Sequence, residues 1–370
     1  MNRAVAAILL LLAAACARAG QTPRAPGPAS FDSLTSTEVA PGVVHRSVWD
    51  ARGPWAIQLL DIDLAVCKPA LRARKPGPPL AARATTSSLG STDLAAINAD
   101  FFMLPGGTPV GPHVEAGEVL VGPGRRPAFL VSQDGWNAGR ATLVGSVRHG
   151  TDSSAVAQVN RPLAGDSSLT LYTTWYGDTV AASRTAPALH VRLLAQNVGI
   201  ISAVVDTTFA LQTGSVAMRA TGRAGTWLTR RRAGDTIAWN VRVERPDGQA
   251  VVEAVGGFPL IVQNGRDVVA LQEGVNESFG ARRHPRTAVG WDAQRLLLVV
   301  VDGRQPPWSD GMTLSELAAF FIRLGATDAI NLDGGGSSAL VIRGRVVNKP
   351  SDAQGERAVG NALVLSGCDR

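Results

Sequence analysis

Cysteine is almost absent from this chain, with three residues in 370, at positions 16, 67 and 368. That scarcity excludes a disulfide-dense mini-scaffold, and the lack of a CxxC pair removes the usual thiolate zinc sites. The five histidines, at 45, 113, 149, 190 and 284, are widely separated and no HExxH occurs, so zinc is not expected. Neither a Walker loop nor a GxSxG elbow is present. Aromatic residues make up only 5% of the chain against 40 glycines, which implies many turns and a β-rich or mixed architecture. Lys+Arg 36 against Asp+Glu 30 gives a formal charge of +6, but the charges are scattered. Without a Lys/Arg block interleaved with aromatics, nucleic acid is not an expected partner. A basic surface still favours anionic polymers such as phosphate-bearing glycans. Beyond the first twenty residues no apolar run could span a membrane.

Arg3 followed by the apolar stretch from Ala4 to Ala15 reads as an export signal over residues 1–19. Two processing routes are open. Ala17-Arg18-Ala19 suits a signal peptidase, whereas LAAAC ending at Cys16 resembles a lipobox and would give a lipid anchor. Either route places the mature chain outside the cytoplasm: secreted, periplasmic or anchored to the envelope. In that compartment Cys67 and Cys368 are expected to pair and tie the two ends of the fold together, with two unpaired thiols as the alternative. Residues 20–30, rich in Pro, Ala and Gly, read as a disordered tether.

A length of 370 residues accommodates one large or two ordinary domains. Residues 31–149 carry strand patterns punctuated by Gly and Pro, among them GPGRRP, whose glycines signal turns. Residues 150–250 contain SLTLYTTWY, ALHVRLLAQ and TIAWNVRVE and read as a β-rich insertion or subdomain. Polar density returns over residues 251–370. Thr313 with Glu316 forms a capping-box pattern, and Leu314, Leu317, Phe321 and Leu324 recur at helical spacing up to Gly325. The short apolar strand that follows delivers Asp333 to a GGGSS loop. There the N–H groups of Gly334, Gly335 and Gly336, with Ser337 and Ser338, could receive an anion. LLLVVV likewise ends on Asp302 and Arg304. Arg283, His284 and Arg286 form the best anion-binding cluster. Asn98 and Asp100, at the end of LAAIN, can supply an amide and a carboxylate to a site, but on that stretch alone an Asx-turn is the favoured reading. No cofactor is required by these motifs. An oxygen-ligand cation such as Ca²⁺ could draw on Asp100, Asp302 and Asp333, although no EF-hand spacing supports it.

Taken together, NADFF, GGFPLIVQNG, RRHPRTAVG, LGATDAINLDGGGSSAL and ERAVGNALVL resemble the phosphodiester glycosidase family, over roughly residues 90–366. Its bacterial members are associated with exopolysaccharide biosynthesis. The resemblance implies cleavage of a sugar-1-phosphodiester between the anomeric carbon and the phosphate oxygen. On that reading Arg286, aided by Arg304 and His284, holds the phosphate. Asp333 or Asp302 faces the oxocarbenium-like centre or activates water. Asn98, Asn331, Asn361 and the loop from Gly334 to Ser338 orient the sugar. Asp100 departs from the pattern, because the family usually has a small residue there.

The expected fold is α+β, or mixed α/β, with a central mostly buried sheet, few helices and a β-rich insertion. The expected function is extracytoplasmic hydrolysis of a glycosyl phosphodiester in a glycan or envelope polymer. Its rivals are a non-catalytic module that binds an anionic polysaccharide, and a glycosidase or lyase that does not depend on phosphate.

Overall fold

The computed structural model describes residues 31–369 except 164–166, 182, 184, 185 and 187. The signal, tether and Cys16 assignments therefore lie outside the described residues.

The architecture is mainly β, which corrects the α+β expectation. Among the described residues the longest helix, Leu314–Arg323, has 10 residues. The strand pairing is almost entirely antiparallel. The apolar run LLLVVV shows how the sheet is built. Here the run is the strand Arg295–Val301, paired antiparallel with both Trp55–Asp63 and Arg286–Trp291. It is apolar throughout because both faces of its sheet are covered. Leu296, Leu298 and Val300 enter the core shared with Ala95, Ile97, Leu363 and Leu365 of a five-stranded sheet. Leu297, Val299 and Val301 pack with the helix residues Leu314, Leu317 and Phe321 on the other face.

The helix starts where its sequence predicts. Thr313 Oγ1 accepts from Glu316 N at 3.1 Å, and Glu316 Oε2 accepts from Thr313 N at 2.9 Å. Its packing depends on one glycine: a Cβ on Gly290 would sit 2.4 Å from Cδ1 of Phe321. Strands between Thr142 and Glu244 build a second eight-stranded sheet with its own apolar core, to which Val114, Leu130 and Ala254 also contribute. Cys67 and Cys368 form a disulfide with Cα atoms 5.0 Å apart, across the adjacent strands Lys68–Arg74 and Ala362–Asp369.

Candidate active site

Antiparallel register assembles the site. Ala288 pairs with Asn331, and Leu332 N donates to Thr287 O at 2.8 Å, so the next step along both chains sets Asp333 opposite Arg286. The segment after Ala95–Asn98 crosses the same end: Asp333 N donates to Ala99 O at 2.8 Å. Asn98 fastens these pieces. Its Nδ2 donates to Asp333 O (2.6 Å), while its Oδ1 accepts from Thr287 Oγ1 (2.7 Å) and Ala339 N (3.1 Å).

A cavity of about 300 Å³ opens there, lined by Phe101, Phe279, His284, Arg286, Arg304, Asp333, Gly334–Gly336 and Arg357. A hollow of about 920 Å³ near Arg46 and Arg295 is larger. Both of its arginines are already paired to Asp61, at 3.2 and 4.0 Å, which leaves it little chemistry to offer.

Arg286 is 2% exposed. Its Nε donates to Met312 O (2.8 Å) and its Nη2 to the carbonyls of Phe279 (2.7 Å) and Arg282 (3.1 Å). Nη1 is left without a protein partner among the described residues. Burial, then the neighbouring Arg304, lowers its pKa to about 10, so it stays cationic at neutral pH. Exposed Arg304, at φ +60°, donates from Nη2 to His284 Nδ1 at 3.1 Å. The other ring nitrogen of His284 is 3.0 Å from Ser278 O, which fixes the Nε2–H tautomer. Burial and three surrounding arginines push the His284 pKa down, so it serves as a neutral prop for Arg304. Arg357 reaches the cavity while paired bidentately to Asp352, at 2.7 and 2.9 Å.

Two carboxyl groups meet at this end of the sheet. Burial raises the Asp333 pKa to about 6, against the favourable Gly334 N–H at 3.0 Å. The Ser337 hydroxyl faces Asp333 and favours its ionised form, but without full hydrogen-bond geometry. Asp100 is 2% exposed, and its pKa rises to about 7, chiefly through burial and then through the negative charge of Asp333. Its Oδ2 accepts from Gly111 N at 2.6 Å. Gly256 gives it room, since a Cβ there would lie 2.4 Å from that oxygen. The strap carrying Gly111 is clamped by Arg161, whose Nη2 donates to Val110 O (2.7 Å) and Gly111 O (2.9 Å).

Several residues expected in the site do other work. Asp302 is not among the cavity lining. It is 1% exposed and accepts from Trp308 Nε1 (3.2 Å), Asn348 Nδ2 (3.0 Å) and Lys349 N (3.0 Å), so it fastens the 348–349 turn. Asn331 donates to Phe258 O and Leu332 O, both at 2.7 Å. Asn361 accepts from Asp100 N (2.8 Å) and donates to His113 Nδ1 (2.9 Å). Most of the GGGSS loop's amides are not available to an anion. Gly335 N donates to Pro285 O, Ser337 N to Gly334 O and Ser338 N to Gly335 O, because the loop closes as a 3-10 turn. Among the described residues the buried Ser337 and Ser338 hydroxyls make no hydrogen bond of full geometry. Arg283 is taken by Glu316 at 2.6 Å. Among the described residues no cluster of three or more His, Cys, Asp or Glu side chains is placed to hold a metal ion, and Asp302 does not join Asp100 and Asp333.

Phe279, Phe258 and Arg126 are not singled out by the sequence, whereas Arg357 stands with Glu356 and Asn361 on the approach to the final strand. Arg126 sits in GPGRRP and Phe279 in a short helix, Glu277–Gly280, and neither segment carries a pattern that announces a site.

At this end of a mainly β fold, one carboxyl group and three guanidinium groups line a single cavity. Residues 192–366 match the model of the phosphodiester glycosidase family. Among curated proteins it is 44% identical over 68 residues to bovine N-acetylglucosamine-1-phosphodiester alpha-N-acetylglucosaminidase, covering 18% of this chain and 12% of that one. It is 39% identical over 85 residues to the SPbeta prophage-derived uncharacterized protein YomE of Bacillus subtilis, covering 23% of this chain and 13% of the other. The alignments thus span only about an eighth of these relatives' lengths. Two crystal structures share the fold. One is a hypothetical protein from Synechocystis (TM-score 0.71, 22% identity, 90% of this chain and 63% of that one). The other is described as a putative exported protein of Burkholderia pseudomallei (TM-score 0.66, 26% identity, 85% and 74%).

Proposed function

We propose that this protein is an extracytoplasmic hydrolase that splits a glycosyl phosphodiester between the anomeric carbon and the phosphate oxygen. The observation that carries this reading is Asp333 facing Arg286 and Arg304 within one cavity. Arg286 Nη1 and the exposed Arg304 guanidinium hold the phosphate oxygens and stabilise the departing phosphomonoester. That group leaves readily, so a strong general acid is not needed. Ionised Asp333 faces the positive charge that develops at the anomeric carbon, or takes the proton from the attacking water. Water supplies the new hydroxyl on the sugar, and the phosphate keeps its bridging oxygen.

An extracytoplasmic setting is supported by the N-terminal signal pattern, the disulfide and the description of the Burkholderia relative. Among the described residues no helix is long and apolar enough to cross a membrane. A glycan or envelope polymer is the substrate this setting favours.

The test is release of reducing sugar from sugar-1-phosphodiesters, with and without chelator, by the wild type, Asp333→Asn and Arg286→Ala. Loss of turnover in both folded variants supports the reading, and sensitivity to chelator would add a metal ion. Binding of anionic glycans without any cleavage would replace it with a binding module.

A further inference from the structure

Of the arginines around the cavity, four are already engaged. Arg283 is paired with Glu316 and Arg357 with Asp352, Arg286 donates to three carbonyls, and Arg304 donates to His284. Arg126 is different. It is exposed and makes no hydrogen bond or ion pair among the described residues. What holds it is aromatic: its guanidinium carbon lies 5.3 Å from the ring centre of Phe101 and 5.0 Å from that of Phe258. Both rings pack on Phe279, at 5.9 and 6.0 Å, and Arg286 lies 5.3 Å from the Phe279 ring centre. One three-ring cluster therefore carries two cations, and Phe101 and Phe279 line the cavity.

Ring faces hold a guanidinium without consuming its N–H groups, so those in-plane donors remain open to an oxyanion. Asp100 feels the charge of Arg126 but makes no hydrogen bond or ion pair to it among the described residues. Its oxygen accepts from Gly111 N, and its burial favours the protonated form.

We propose that Arg126 is a second oxyanion position, which reads a negative group on the substrate beyond the scissile phosphodiester. This inference rests on the phosphodiester glycosidase reading and narrows its substrate class. The preferred substrate is a polyanionic glycan, with a phosphate or carboxylate on the unit next to the bond that is cut. Arg286 and Arg304 serve the scissile phosphate, and Arg126 serves the neighbouring charge.

The experiment uses the full chain and three hexose-1-phosphodiesters that differ only in whether the aglycone ends in a hydroxyl, a carboxylate or a phosphate. The quantity read is the ratio of kcat/KM for each charged compound to that for the neutral one. The wild type is expected to prefer a charged compound by about 10-fold or more, and the two charged arms tell carboxylate from phosphate. In Arg126→Gln the ratio collapses to within about twofold of one, and in Arg126→Lys part of the preference survives because the charge is kept. An unchanged ratio in folded Arg126→Gln, or no preference in the wild type, overturns the proposal. If the wild type hydrolyses none of the three, the glycosidase reading fails by itself. The intact compounds are then used as ligands, and the same ratio is read from Kd. Collapse in the glutamine variant supports the second oxyanion position, and equal affinities overturn it.

Discussion

Asp333 is half-buried between a backbone N–H that favours its charge and surroundings that disfavour it, and burial wins, with its pKa near 6. If the ionised form does the work, kcat/KM should rise with pH through a midpoint near 6 and level off above it. A profile that is flat from pH 4.5 to 8 would remove Asp333 from that role. Asp100 makes a separate prediction about stability. Its folded pKa, about 7, lies above the ordinary 3.8, so the folded state holds a proton that the unfolded state has released. Stability attributable to this group therefore falls as pH rises from about 4 through 7. Asp100→Asn keeps an acceptor for the Gly111 N–H and cannot ionise. It should be the more stable protein at pH 8, by on the order of 2 kcal/mol, and nearly equal to wild type at pH 4. Thermal melts at the two pH values check this, and an equal difference at both would contradict it. Residue identities alone singled out Asp333, Arg286, Arg304 and His284, all of which line the cavity. Asp302 lies outside that lining, and a carboxylate at a strand end has the same local pattern whether it faces a cavity or a neighbouring turn. Arg126 and Phe279 were invisible, since they join the site only through contacts between distant segments.

At the scale of the element, the helix Leu314–Arg323 was legible to its cap, because capping and 3.6-residue periodicity are local. The sheet it covers was not. Antiparallel pairing of Arg295–Val301 depends on Trp55–Asp63, more than 200 residues earlier in the chain, and apolar runs do not announce their partners. The GGGSS loop shows the same limit: glycine-rich backbone suggested an anion cradle, but a tight turn consumes most of its N–H groups. Two substitutions test how the helix is held. Gly290→Ala pushes a methyl group into the ring of Phe321 and should destabilise by about 1–3 kcal/mol. Thr313→Ala removes the cap and should cost about 1 kcal/mol. Denaturant titration reads both, and a neutral Gly290→Ala would show that Phe321 can move aside.

For the molecule as a whole, the disulfide joins residues 301 apart in sequence and fastens the strand that begins at Lys68 to the final one. Replacing both cysteines by alanine should lower stability by about 2–4 kcal/mol, read as a lower denaturant midpoint, while an unchanged midpoint would make the bridge incidental. Asn361, the residue just before that final strand, accepts from the backbone N–H of Asp100, so chain closure and site geometry are linked. Segments spread from Phe101 to Arg357 line one cavity, although the family match begins only at 192.

The central claim concerns which bond breaks, and hydrolysis of a sugar-1-phosphodiester in ¹⁸O-labelled water reads it directly. Cleavage between the anomeric carbon and oxygen places the label in the released sugar and leaves the phosphomonoester unlabelled, which is the predicted result. Label in the phosphate would mean attack at phosphorus and would make the protein a phosphodiesterase instead.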